Sequence, residues 1–431
     1  MSFKAYDEYK DSGVEWLGEV PAHWSLKKFK HTARIKNGRD YKDVEVSSDG
    51  YPVIGSGGEF SRASHYLYAK ESVLLGRKGT IDKPIYINTP FWTVDTMFYT
   101  EIRKETSAKY LYYYAKCFQY DMYSTNTALP SMAQEDLNNI HLASPMLKEQ
   151  TTIAAFLDHE TARIDALIEE QQCLIALLKE KRQAVISHAV TKGLDPNVPM
   201  KDSGVEWLGE VPAHWEVTRL KFISQIVDCK NRTPSYHDDG QFLVVRTSNV
   251  KHQSLNIDGA LYTNEEDFRT WTQRGVPPEG SILFTREAPA GEVCIVPEKL
   301  PLCLGQRMMN IILNDSRATS FVFDFLTSDC LTRYIDSVSH GSTVSHLRVE
   351  QVYDIPMALP PYGEQEKIDH KISELKQKFN KLIDEAGSTT KILQERRSAL
   401  ISAAVTGKID VRDWQPPEAS QTAAEPAEAS A

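Results

Sequence analysis

No stretch of this sequence approaches the ~18 consecutive apolar residues that a membrane-spanning helix needs. Cys173–Leu178 is among the longest apolar runs, and charges follow it at once. Met1–Lys10 is polar and lacks the apolar segment of a secretory leader. The six cysteines are dispersed, with no Cys-x-x-Cys pair and none at zinc-finger spacing from a histidine pair. These absences predict a reduced, cytoplasmic, metal-free protein. A basic excess is also missing: 49 Lys and Arg face 59 Asp and Glu, for a net charge of −10. That excludes a uniformly basic nucleic-acid coat but not a local site, because binding depends on where the cations sit. The histidines form no HExxH or comparable pair, and the acids form no convincing nuclease cluster. Gly55-Ser56-Gly57-Gly58 lacks the third glycine and following helix of a dinucleotide loop.

What is present is repetition. Lys10–Trp24 reads KDSGVEWLGEVPAHW, and Lys201–Trp215 reads the same letters 191 residues later. VLLGRKGTIDKPIYI (73–87) echoes in ILFTREAPAGEVCIV (282–296) at an offset of 209, with Arg77 falling on Arg286. Pro145 of a P-x-x-x-EQ run falls on Pro360 of another, and KEKRQAVISHAVTKGLD (179–195) matches QERRSALISAAVTGKID (394–410), both at 215. The chain is two copies of one unit, with matching ends and divergent middles. A duplicated enzyme would repeat its chemistry, whereas divergent middles on repeated supports suggest two different readers on one frame.

Each middle carries short apolar runs broken by Gly and Pro. The first has 51–54, 72–75, 83–87 and 91–100, then a helix over 108–123; the second has 242–246, 281–284, 292–296 and 308–313, then a helix over 320–337. This predicts an α+β domain of about 150 residues in each copy. After each EQ, apolar positions alternate by three and four: Ile153, Leu157, Ile164, Leu167, Leu174, Leu178 in one copy and Ile368, Ile372, Leu375, Phe379, Leu382, Ala386 in the other. Polar Glu160, Gln171 and Thr389 interrupt the seam. Each stripe makes a rod of about 60 Å and needs an apolar partner. The simplest is the other rod, running antiparallel; the competing arrangement is two separate helices, each on its own domain. The predicted fold class is therefore α+β, with two pseudo-twofold-related domains separated by two long antiparallel coiled-coil helices. The expected boundaries are 1–148, a helix over 149–192, 193–363, a helix over 364–408, and a disordered tail over 409–431 whose last part is Pro, Glu, Ala and Ser. The two chain ends should lie close together.

In this order, the motifs KDSGVEWLGEVPAHW (twice), VLLGRKGTID with ILFTREAPAG, LCLGQRMMNI (302–311), GSTVSHL (341–347) and the paired P-x-x-x-EQ runs resemble the specificity subunit of type I DNA restriction–modification enzymes, over nearly the whole chain apart from the tail. The resemblance implies two target-recognition domains, each reading one half of a split DNA sequence, in a subunit with no catalysis of its own. It implies two methyltransferase partners that use S-adenosylmethionine to methylate adenine, and motor–nuclease subunits that join them. No cofactor is expected in this chain. Leu359-Pro360-Pro361-Tyr362 resembles the catalytic motif of adenine methyltransferases, but Leu359 stands where a polar acceptor is needed, so it reads as a helix start. The competing class is a coiled-coil scaffold with two protein-binding domains; a fused methyltransferase–specificity chain lacks its motifs here.

A DNA reader needs cations for phosphates and donors or acceptors for base edges. The first middle offers Lys36, Arg39, Lys42, Arg77 and Lys78; the second offers Lys230, Arg232, Arg246, Asn249, Arg274, Arg286 and Arg307. A lone Arg is more often a solvated surface group. Arg77 and Arg286 stand out because they coincide in both copies. Ser342 and Thr127 coincide in turns as well, where loop polarity is the plainer explanation. The four repeated tryptophans, Trp16, Trp24, Trp207 and Trp215, are expected in the core.

Overall fold

The structure, a computed structural model, describes residues 3–124, 130–230, 232–338 and 346–417. The chain divides into two compact units, one of 1–172 with 388–431 and the other of 173–387. Two long helices, Leu147–Lys192 and Tyr362–Val405, each contribute one half to each unit. The division therefore falls in the middle of both helices.

The repeated fifteen-residue motif folds alike in both units. It makes a short antiparallel hairpin, Tyr9–Asp11 with Glu19–Pro21 and Met200–Asp202 with Glu210–Pro212. Trp24 and Trp215, at its end, are buried. Their indoles explain the P-x-x-x-EQ echo. Glu149 accepts from Trp24 Nε1 at 2.9 Å and pairs with His23 Nε2 at 2.9 Å. Glu364 accepts from Trp215 Nε1 at 3.1 Å and pairs with His214 Nε2 at 2.6 Å. The following glutamines, Gln150 and Gln365, each donate to the proline carbonyl five residues back at 2.9 Å. Pro, Glu and Gln thus fix the helix start against the hairpin. The Leu359–Tyr362 sequence is part of this start: Tyr362 begins the helix. The helix ends are equally specified. Gly193 and Gly407 have φ of +76° and +77°, the left-handed C-cap that favours glycine. A Cβ on Gly407 would lie 2.3 Å from Pro21 Cδ.

Each unit has a four-stranded antiparallel sheet with the same order. In the first unit it is Ala33–Asn37, Met97–Ile102, Ser72–Gly76, Ile85–Ile87; in the second, Ser224–Asp228, Met308–Leu313, Ile282–Arg286, Ala290–Ile295. Ser72–Gly76 and Ile282–Arg286 are buried along their whole length; their apolar centres, Val73–Leu75 and Ile282–Phe284, are what strands covered on both faces require. A second sheet in each unit contains a parallel pair, Trp92–Thr93 with Val53–Ile54 and Leu302–Leu304 with Leu243–Val245. The expected helices are shorter than the apolar spacing suggested: Ala108–Ala115 followed by a 3-10 turn, and a break at Thr327-Ser328 between Thr319–Leu326 and Asp329–Val338.

Within the first unit the two helix halves run antiparallel. Asp165 takes a bidentate hydrogen bond from Arg397 at 2.7 and 2.9 Å, while Phe156, further back, meets Trp414, further on. In the second unit Arg182 bonds Asn380, and Gly193 lies beside Glu364. Ile153, Leu157, Ile164, Leu400 and Ala404 join the first core; Ile186, Ala189, Ile368 and Ile372 join the second. The seam is not uniformly dry. Leu167, Leu174 and Leu382 are 44, 43 and 38% exposed, so these positions depart from the expected buried stripe. The domain cores cover the helix ends, and polar Glu160 and Gln171 interrupt the row before it reaches Leu174.

The expected disordered tail from Ile409 is corrected in its first part. Asp410 N–H donates to Lys4 O at 2.7 Å, Val411 is buried, and Trp414 packs on Phe156 with ring centroids 5.7 Å apart. Apolar side chains at these positions extend the core past the helix end, and they bring the two ends of the described chain together. The remainder of that expectation, 418–431, lies outside the described residues. Among the described residues no helix is long and apolar enough to cross a membrane.

Candidate nucleic-acid interface

In each unit the ends of several strands meet along one edge, and the same main-chain hydrogen bonds tie them. In the first unit Gly38 N–H donates to Met97 O (3.0 Å), Arg77 N–H to Thr96 O (2.9 Å) and Met132 N–H to Arg77 O (3.0 Å). In the second, Cys229 N–H donates to Met308 O (3.2 Å), Arg286 N–H to Arg307 O (3.0 Å) and Leu347 N–H to Arg286 O (2.9 Å). An isolated bridge closes each edge, Lys78 with Ser131 and Glu287 with His346. Glycines permit the crowding: a Cβ on Gly38 would sit 2.0 Å from Val94 O, and one on Gly305 would sit 2.6 Å from Val245 O.

The first edge gathers Arg39, Arg77 and Lys78. Arg39 is exposed, and its carbonyl is held by Trp92 Nε1 at 3.0 Å. Arg77 is partly exposed; it donates to Asp95 O at 3.2 Å and lies 6.0 Å from the Phe98 ring. Lys78 is exposed. Lys36 sits one residue before the end of the Ala33–Asn37 strand, partly exposed on the side opposite buried Ile35. Lys42 lies beyond, exposed, on a 3-10 turn whose N–H is held by Asp40.

The second edge gathers Arg246, Arg286 and Arg307 with two acids. Arg286 takes the place of Arg77 in the frame, as the repeat implies, but not its exposure. It is only 8% exposed, its Nη2 lies 3.5 Å from Asp228 Oδ1, and its Nε is buried without a hydrogen-bond partner. Asn249 is also buried: it accepts from Arg246 N–H and donates to Asn256 O, both at 3.0 Å, so its amide is already used in a turn. Lys230 donates to Thr270 O at 2.6 Å and Gln273 Oε1 at 2.9 Å, near the Trp271 ring. Arg274 donates to the carbonyls of Asp228 and Cys229. Arg232 is exposed, with its carbonyl taken by Trp271 Nε1. Arg246 is partly exposed, with a buried Nε that has no partner. Arg307 is exposed, with φ of +69°, and pairs with Glu287 at 2.8 Å. Ser342 and Thr127 lie outside the described residues. Burial and the neighbouring Asp228 carboxylate push the Cys229 thiol up, which keeps it unreactive in the ordinary pH range.

Attention to cations alone misses the edge's other members: Asp228, Glu287 and His346, with Asn37 and Ser131 opposite them in the first copy. The signal was in the echoes. The offsets 191, 209 and 215 place Asn37 on Asp228, Lys78 on Glu287 and Ser131 on His346. Among the described residues no group of His, Cys, Asp and Glu could hold a metal ion.

Comparison with known proteins agrees with two copies. The type I restriction modification DNA specificity domain matches residues 21–175 and again 212–386. The putative type I restriction enzyme MjaX specificity subunit of Methanocaldococcus jannaschii is 25% identical over 285 residues, 65% of this chain and 62% of that protein. The match thus spans less than two thirds of that relative. The Escherichia coli EcoDI specificity subunit is 18% identical over 381 residues, 83% of this chain and 82% of that protein. A chain solved in work on complex assembly and conformational transition of the type I R-M system superposes with a TM-score of 0.66 at 13% identity, covering 90% of this chain and 98% of that one. It shows a shared fold.

Proposed function

Because this chain belongs to the type I restriction–modification DNA specificity family, we propose that it is the specificity subunit of such a system, with each unit reading one half of a bipartite DNA target. The observation that carries this reading is the pair of strand-end edges. They share a hydrogen-bonded frame and differ in the side chains mounted on it. A shared frame suits one kind of ligand, and different side chains suit different base sequences. The target is therefore asymmetric.

The chain performs no catalysis in this reading. It binds double-stranded DNA and positions two methyltransferase subunits, which carry S-adenosylmethionine and flip out an adenine in each half-site. Motor–nuclease subunits join that complex, in the cytoplasm. The net charge of −10 makes the affinity of this chain alone modest and strongly salt-dependent, and partner subunits add phosphate contacts. The unread gap between half-sites has a fixed length. Removing matched helical turns from both long helices changes that length and leaves the half-sites unaltered.

Selection from a random pool of DNA duplexes, using the full chain with its methyltransferase, tests the reading. The expected product is one asymmetric motif in two parts. A complex that retains DNA without sequence preference would identify the chain as a protein-binding scaffold.

A further inference from the structure

Glu287 is one of two acids on the second edge; the other, Asp228, is taken by the buried Arg286. Glu287 Oε2 lies 2.8 Å from Arg307 Nε and 3.3 Å from His346 Nδ1. Its side chain is 22% exposed, against 46% for Arg307 and 48% for His346. The trio reaches solvent together, where ion pairs contribute little to folding. Nor is the trio needed to hold the edge, since the Glu287–His346 bridge and the Leu347 N–H to Arg286 O bond do so through the main chain. The backbone is strained on both sides. Ala288 and Arg307 adopt φ of +60° and +69°, a region that non-glycine residues avoid and that concentrates at functional sites. At the same place the first unit carries Lys78 and Ser131.

We propose that Glu287, poised by Arg307 and His346, is a specificity-determining residue of the second unit: it accepts a hydrogen bond from the N4 amino group of a cytosine, while Arg307 donates to O6 and N7 of the paired guanine. A carboxylate repels phosphate, so on a DNA-facing edge its productive partner is an amino group on a base. Cytosine N4 is the standard major-groove donor to Glu, and guanine is the standard acceptor pair for Arg. In the free protein Glu287 and Arg307 neutralise each other. A wrong base leaves both charges facing groups they cannot satisfy, which makes the pair discriminating. Lys78 at the equivalent position cannot accept a hydrogen bond, so the first unit reads a different base there.

This inference rests on the DNA-specificity reading, and the test separates the two. The full chain with its methyltransferase is challenged with duplexes carrying every substitution in the second unit's half-site. For the wild type, loss of one G·C pair weakens binding about tenfold or more. In Glu287→Gln the cytosine requirement at that pair relaxes and in Arg307→Ala the guanine requirement relaxes; the other base preferences of the second unit's half-site are kept, which reports correct folding of that unit, and the first unit's half-site is unaffected. If both variants keep every wild-type base preference, or lose affinity equally for all sequences, the assignment is overturned. A wild-type complex with no sequence preference overturns the underlying reading before any variant is made.

Discussion

Arg77 and Arg286 occupy the same place in two copies of one sheet and have opposite fates. Arg286 is buried against Asp228. Arg77 remains partly exposed, bonded to a carbonyl, and the residue aligned with Asp228 is the uncharged Asn37. One carboxylate, at the end of the strand next but one in the sheet, thus separates an arginine that is tied into the edge from one that is open to a ligand. Coincidence in a repeat identifies a position, while the neighbours decide the use.

Arg286→Met leaves Asp228 without its partner and should destabilise the second unit by about 3 kcal/mol, whereas Arg77→Met should cost the first unit less than about 1 kcal/mol. Denaturant titration with a probe in each unit measures both. Equal costs would remove the distinction.

The carboxylates at the helix starts offer a second contrast. Glu149 takes Trp24, His23 and also the Tyr6 hydroxyl at 2.8 Å, with 9% of its side chain exposed. Glu364 has only the indole and the imidazole, with 28% exposed. Burial and Glu149 together hold the Tyr6 hydroxyl well above its ordinary range. Glu149→Ala should cost about 2–3 kcal/mol and Glu364→Ala about 1 kcal/mol, because fewer buried donors lose their acceptor in the second case. Thermal unfolding of the two variants ranks them.

The domain–helix joints sharpen the contrast further. In the first unit Tyr113 bonds Asp158 and Thr161. In the second, Lys376 pairs with buried Asp324, and Asp369 beside them is pushed up to about 6 by burial and by the Asp324 charge. A folded-state value above the ordinary 3.8 means that the folded second unit binds the extra proton. Its stability is highest below about pH 4 with respect to this group and declines as pH rises through 6. Asp369→Asn should therefore stabilise the second unit at pH 7.5 by about 1 kcal/mol after solvent screening, with little effect at pH 4. A gain that is the same at both values would assign the effect to packing.

The smallest effects are on DNA. Arg77→Ala and Lys78→Ala should each weaken binding on all sequences and lower the slope of log affinity against log salt by about one if they contact phosphate. Arg232→Ala asks the same of the second unit. A change confined to one base pair would instead assign a base contact.

Repetition made the architecture legible. Identical letters at 10–24 and 201–215 required one local fold twice, and the P-x-x-x-EQ spacing located both long helices to within a few residues of their observed starts. The strands at 51–54, 72–75, 242–246 and 308–313 were readable because they are short apolar runs between turn residues. The strands 33–37 and 224–228 were not, since ARIKN and SQIVD mix polar and apolar letters and depend on pairing with 97–102 and 308–313. The edge was half legible. Arg39, Arg77, Lys78, Arg246 and Arg307 converge there, but composition cannot show that Asn249 and Lys230 spend their polar groups on turns and carbonyls, or that Asp228 captures Arg286. The Lys230 and Arg286 outcomes depend on contacts between residues 40 or more positions apart, and the Asn249 outcome on a local turn whose geometry the letters do not specify. The tail boundary was misplaced for a similar reason: Val411 and Trp414 find a core only once the chain ends meet.

In the proposed function, two unlike edges on one frame read two unlike half-sites. The direct measurement is to map methylated adenines in a genome modified by this chain with its methyltransferase, comparing the wild type with Arg77→Ala/Lys78→Ala and with Glu287→Gln. One asymmetric, two-part motif with a fixed gap is expected, and Glu287→Gln should relax base preference only in the second unit's part. A palindromic motif, or relaxation spread over both parts, would contradict this reading.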